Sequence, residues 1–267
     1  MSHDLELPSL NALGRDLLVT TSWQRRLALA RPFVLLGLYG AVCALGLYWL
    51  APIIIFFIFV AIVTVTHDVV HGSLGLSRRE TEVALFVFGA ILLASGHSYR
   101  ISHLQHHRVF PGDNDPEGDP ARMTIWQAVR HGAVFLPRLW LWARQRANTT
   151  DRRWMWAEAI WAFCVLLAGV LLWPLTPAVL LYAGLVVTGA WVFPLLTVHL
   201  PHRNYGDSPL TQTHTLRGRI IPALFLELTY HLEHHLYPQV PSHQLRALSD
   251  RLEPFFDRAG VVRWHVP

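Results

Sequence analysis

The sequence predicts an all-α integral membrane protein, with four transmembrane helices as two hairpins and a cytosolic helical cap carrying a metal site. Three observations predict it. The 267 residues are 52% hydrophobic and 15% charged, with mean hydropathy +0.32, which is too apolar for an ordinary soluble domain. Residues 33–66 contain no formal charge, and residues 154–198 contain one, Glu158. Finally, eight of the histidines fall into three short groups at helical spacing.

Residues 1–32 read as a polar to amphipathic cytosolic arm ending in Arg25, Arg26 and Arg31, without the apolar core of a signal peptide. Residues 33–66 suffice for two close-packed spans of about 17 residues, and Ala51-Pro52 is the natural turn between them. Residues 83–96 form a shorter apolar run, below the ~20 residues needed to cross, and read as a segment that dips in and returns. A helix beginning near Tyr99 follows, then the polar loop 111–120. Residues 123–147 read as a helix lying on the membrane surface, mixing Trp126, Phe135, Leu136, Trp140 and Trp142 with arginines. Residues 154–198 give two more spans divided at 173–177, a segment with two prolines. A helix over about 223–236 comes next. Ser242 then opens a final amphipathic helix with Leu245, Leu248 and Leu252 on one side and Pro254 as its stop, so 242–267 is the C-terminal helix and tail of a single 1–267 domain.

Neither hairpin turn carries a charge. The positive-inside rule therefore places both termini and every histidine group on the cytosolic side, most simply of a bacterial inner membrane. The net charge of +4 comes from 22 arginines and no lysine against 18 acids, too modest a balance to suggest nucleic-acid binding. Cys43 and Cys164 lie in apolar runs and read as small buried hydrophobes.

The histidine groups carry the chemistry. They are His67 and His71, then His103, His106 and His107, then His231, His234 and His235. Spacings of three and four residues put each group on one helix face. Eight imidazoles exceed what one four-coordinate ion needs, so they read as the lining of a two-metal site, although imidazole alone does not name the metal. The alternative, a set of capping or buried structural histidines, does not explain three such groups in one chain. His202 is the best further ligand, where the fourth span reaches the cytosol, and His199 is a weaker one. His97 reads as structural; His3, His131, His214, His243 and His265 read as surface groups. A ligating imidazole usually donates its other N–H to a carboxylate or carbonyl. Glu227 (four residues before His231), Asp115 and Asp68 are the candidates for that role. The His67–His71 segment also invites comparison with the HExxH zinc motif, but that reading leaves the other six histidines unused.

The three segments His67–His71-Gly72, His103–His107 and Tyr230-His231…His235-Leu-Tyr-Pro238 resemble the membrane fatty acid desaturase superfamily, which includes carotenoid ketolases and hydroxylases. Leu200-Pro201-His202-Arg203 and the loop Pro111-Gly112…Asp115-Pro116 are similar to the ketolase branch. The resemblance implies two non-haem Fe ions held by the grouped histidines, His202 as a further ligand, and O2 activation at the cytosolic membrane face. The acyl-CoA branch has one more residue between its first two histidines, which argues for a membrane lipid over an acyl-CoA.

The leading expectation is therefore O2-dependent desaturation of the hydrocarbon chain of a membrane lipid. The close alternative is a hydroxyl or keto group placed on a carotenoid ring such as that of β-carotene. A membrane metal transporter or sensor is the rival of another class; it needs histidines spread along a path across the bilayer. Electrons must come from outside, because no dinucleotide fingerprint or iron–sulfur cysteine set occurs, and a ferredoxin-like carrier docking on the arginine-rich face is the expected partner.

Overall fold

The computed structural model describes residues 6–267, so His3 and the start of the N-terminal arm lie outside it. The regular structure of the described chain is almost wholly helical, with a single two-residue pairing, Leu216–Arg217 parallel to Trp264–His265.

After a short capped turn, α1 (Leu10–Leu13), the first long helix is α2 (Ser22–Ala44). It starts earlier than hydropathy suggests. Thr21 accepts from the Gln24 backbone and Gln24 reaches back to Thr21, a capping box strong enough to fix the start inside the polar arm. The turn into α3 (Ala51–Val70) also differs from expectation. The chain reverses at residues 45–50, and Pro52 sits in the first turn of α3, where its missing N–H leaves no ladder bond unmade.

Helices α4 (Arg78–Ile91) and α5 (Gly96–Val109) meet at a break and are bent by 107°. Gly96 is required at the bend: a β-carbon there would overlap the Leu85 carbonyl. Helix α6 (Ile125–Arg146) opens on another capping box, Thr124 with Gln127, and buries Phe135 and Leu139 against Phe110 and Val198, leaving Trp126 exposed. Helices α7 (Thr149–Leu172) and α8 (Ala178–Pro194) pack on each other across the 173–177 break. A π-turn, Leu195–His199, carries α8 into the short α9 (Leu200–His202).

Four segments, ending at Ala44, Val70, Leu172 and His202, are long and apolar enough to cross a membrane. The two consecutive pairs, α2 with α3 and α7 with α8, pack side by side. Their outer faces leave Phe33, Val34, Ile160, Phe163 and Leu171 exposed, as lipid-facing surfaces do. Cys164 shares that exposed side of α7, contrary to its expected burial, whereas Cys43 is buried.

The C-terminal third departs most from its sequence reading. The helix expected over 223–236 is two pieces, α10 (Ile220–Leu224) and α11 (His231–Leu236), because Leu226 and Glu227 adopt left-handed backbone, φ 50° and 67°. Helix α12 (Leu245–Ala259) does bury Leu245, Leu248 and Leu252, but Pro254 does not stop it. That proline lies on the exposed face, where water can take the carbonyl its ring frees, and the helix ends at Gly260 in the left-handed conformation. Nor does Ser242 cap α12. It heads a separate turn, Ser242–Gln244, and binds Asp68.

Candidate metal centre

Helices α3, α5, α9 and α11 all deliver histidines to one place. The C-terminal turn of α3 contributes His67 and His71. α5 contributes His103, His106 and His107, one turn apart. α9 ends in His202, and α11 is little more than the turn that carries His231, His234 and His235.

Two groups form. Ring nitrogens of His67, His71, His103, His107 and His234 lie within 4.8 Å of one another, and so do those of His106, His202 and His235. In the first, the Nε2 of His234 is 2.8 Å from that of His67 and 2.9 Å from that of His107. In the second, the Nε2 of His202 is 3.2 Å from those of both His106 and His235. His231 flanks the second group, with its ring centroid 4.7 Å from those of His202 and His235. The groups adjoin through His107 and His235, whose centroids are 4.4 Å apart.

All nine predicted imidazoles are thus brought together, and the donor set fits metal ions. The Nε2 atoms of His71 and His231 are buried with no hydrogen-bond partner, a costly state for polar nitrogens that a cation would relieve. Burial first, and then the neighbouring imidazoles, hold His103, His234 and His235 far below the ordinary imidazole range; burial brings His231 down to about 3. All four are therefore neutral near pH 7, which is the ligating form.

Three of the outward nitrogens are tied back, while the Nδ1 atoms of His67, His107 and His234 are buried without a partner. His106 Nδ1 donates to Asp115 at 2.7 Å, and His202 Nδ1 donates to the Val198 carbonyl at 3.0 Å. His103 Nδ1 lies 3.2 Å from Glu117, which also accepts from Ser102 at 2.6 Å. With Nδ1 carrying the proton, Nε2 presents its lone pair to the centre. Burial opposes charge on His106, but the Asp115 carboxylate outweighs it and raises the imidazole. Glu117 is pushed up to about 7 by burial.

Of the three carboxylates singled out in the sequence, only Asp115 holds an imidazole this closely. Asp68 is 3.6 Å from His67 Nδ1, too far for a hydrogen bond, and its carboxylate takes the backbone N–H and hydroxyl of Ser242 at 3.0 and 2.7 Å. Glu227 bonds none of the histidines: its left-handed backbone takes it out of helical register with His231, and its Oε2 is buried without a partner. Glu117 was not foreseen. The polar loop holds several acids and their spacing does not single one out. His199 stays outside both groups, donating from Nδ1 to the Pro120 carbonyl at 2.8 Å. His97 is structural as expected, wedged between Glu158 and Glu82 at 2.7 and 2.9 Å.

Residues 47–267 match the fatty acid desaturase family. The chain belongs to that family. Family members use di-iron centres, and the two imidazole groups could hold metal ions. An alignment over 172 residues, covering 61% of this chain and 58% of the β-carotene ketolase of Paracoccus sp. strain N81106, shows 30% identity to that protein. Both similarities support a membrane oxidoreductase of the superfamily.

Proposed function

We propose that the protein is an O2-dependent, membrane-embedded di-iron oxidoreductase that oxidises C–H bonds of an apolar lipid, and that its substrate is the ring of a carotenoid. The observation that carries the di-iron reading is the pair of adjoining imidazole groups. His67, His71, His103, His107 and His234 would hold one iron; His106, His202, His231 and His235 would hold the other.

Bound iron would supply an oxidant for C–H bonds that no side-chain acid or base can attack. The chain's own residues do the rest. Asp115, Glu117 and the Val198 carbonyl hold Nδ1 protons, which keeps Nε2 inward. Five of the nine rings, those of His67, His103, His106, His202 and His234, are buried, which limits water at the site. In this reading the site lies beside the bilayer, so an apolar substrate reaches it without passing through water.

Inserting one oxygen atom into a C–H bond and reducing the other to water takes two electrons and two protons. A ferredoxin-like carrier docking on the arginine-rich face is the proposed source. By the positive-inside rule that face, both termini and the histidines are cytosolic, because the breaks at 45–50 and 173–177 carry no charge.

Ring oxidation moves ahead of acyl-chain desaturation because the similar ketolase acts, by its name, on β-carotene. Desaturation remains the second reading, supported by the family match. Expression in a carotenoid-producing host, with pigment and fatty acid profiles measured together, tests the choice. New oxygenated pigments with unaltered acyl chains are expected; new acyl double bonds with unaltered pigments would reverse the order. A metal transporter gains no support from a geometry that gathers nine imidazoles at one place.

A further inference from the structure

Helix α10 and the last residues of the chain form one small unit. The backbone N–H groups of Ile220 and Ile221 both donate to the Pro267 carbonyl at 3.0 Å, and Leu216 pairs with Trp264. Toward α12 the unit is charged. Arg217 pairs there with Asp250 at 2.9 Å and with Glu253, and Arg263 pairs with Asp257 at 2.6 Å. Several of its large apolar side chains are exposed instead. Side chains alternate along an extended segment, so Val262 and Trp264 point away from Arg263. Both are exposed, Val262 to 70%, and so are Ile220 (60%) and Leu224 on α10.

The next residue in the chain shows what covers them. Phe225 meets Phe56 of α3 edge to face, with ring centroids 5.8 Å apart and planes at 89°. Phe56 and Ile53, one turn earlier, are themselves exposed on the outer face of α3. α10 therefore continues a lipid-facing surface. Its depth follows from helix geometry. Phe56 lies about three turns from His67, roughly 16 Å along the axis. α3 has 20 residues, about 30 Å, which is no more than the hydrocarbon thickness of a bilayer. A span with no length to spare keeps Phe56, and with it α10, at the level of the acyl chains.

We propose that α10 and the C-terminal segment 262–264 are a lipid-inserted edge of the histidine-bearing cap. Ile220, Leu224, Val262 and Trp264 enter the acyl chains of the leaflet nearest the histidines. Arg219, exposed just before α10, extends its long side chain to the headgroups. The Trp264 indole suits the boundary between headgroup and chain. Residues 225–230 join this edge to α11, so the leaflet seats the helix that carries His231, His234 and His235. The end of the chain is then a membrane contact and not a free tail. This holds whichever lipid the metal centre oxidises.

The test is fluorescence quenching on iron-loaded, full-length protein in phosphatidylcholine vesicles. A small thiol-reactive fluorophore is attached at Ile220→Cys or Val262→Cys in a Cys164→Ser background, where the remaining Cys43 is buried. Wild-type Cys164, exposed on α7, gives the lipid reference. Ser208→Cys in the same background, exposed in a polar loop, gives the water reference. Labels at 220 and 262 should lose fluorescence to acyl-brominated phosphatidylcholine as the Cys164 label does, and keep it with iodide on both sides of the membrane. Loss to iodide as at Ser208, without a response to brominated lipid, overturns the inference. Protection from both quenchers also overturns it, because a second copy of the chain would then cover the edge. Iron content equal to wild type shows that a labelled protein is folded, and two positions on separate segments keep the test open to failure if one label disturbs the fold.

Discussion

His107 on α5 and His235 on α11 face each other with ring centroids 4.4 Å apart, and each belongs to a different imidazole group. This contact makes the two groups one centre. It depends on α11 being delivered beside α5 by a chain that has first passed through two further spans.

The second group depends on His202. Replacing it with alanine removes one of four imidazoles and the only one supplied by α9. Iron content should fall from about two per chain toward one. His199→Gln is the matched control. Its imidazole bonds the Pro120 carbonyl and stands outside both groups, so iron content should not change. Metal analysis of the purified variants reads both.

Asp115 and Glu117 act through His106 and His103. Asp115→Asn and Glu117→Gln keep the volume but weaken the hold on Nδ1. Losing such an outer partner lowers metal affinity about 10- to 100-fold. Competition with a graded chelator should show this loss in both variants, with the helical circular dichroism unchanged. Affinity equal to wild type would assign the two carboxylates to the loop fold alone.

That pair also shows what the sequence made legible. Spacing at three and four residues identified eight imidazoles, because a helix imposes the face directly. His202 followed from its place at the end of a span. Glu117 did not, since its approach to His103 is set by how a ten-residue loop wraps, which no periodicity encodes. Glu227 illustrates the converse error. A helix through 223–236 would stack it under His231, but left-handed backbone at Leu226 and Glu227 breaks the register. Asp68 could have been read better, for a residue adjacent to His67 on a helix points about 100° away from it. The four spans were legible from hydropathy, and their ends less so. Capping at Thr21 and the tolerance of first-turn and exposed helix positions for Pro52 and Pro254 are local effects that an apolar run does not report.

Asp68 instead joins the centre to the C-terminal segment. It accepts the Ser242 backbone N–H and hydroxyl, both buried. Ser242→Ala removes one hydrogen bond to a charged group, a loss of about 1.5–3 kcal/mol. The thermal midpoint in detergent should drop by several degrees, while iron stoichiometry stays at the wild-type value. An unchanged midpoint would show that this link adds nothing to stability.

Metal removal should destabilise the whole assembly, because a ligand that binds only the folded chain raises its stability in proportion to RT ln(1 + [L]/Kd). Chelation leaves the buried Nε2 atoms of His71 and His231 without partners. The expected result is a lower thermal midpoint after chelation and recovery on adding ferrous iron under anaerobic conditions. No shift on removal would mean that the imidazoles are satisfied without metal.

The most direct test of the central claim is the iron-to-protein ratio of the purified wild-type chain beside that of the His107→Ala/His235→Ala double variant, which strips one imidazole from each group. Two irons per wild-type chain, and substantially less in the double variant, is the predicted result. A wild-type chain reconstituted with ferrous iron that retains one iron or none, or a double variant that keeps both, would contradict a di-iron centre built from these histidines.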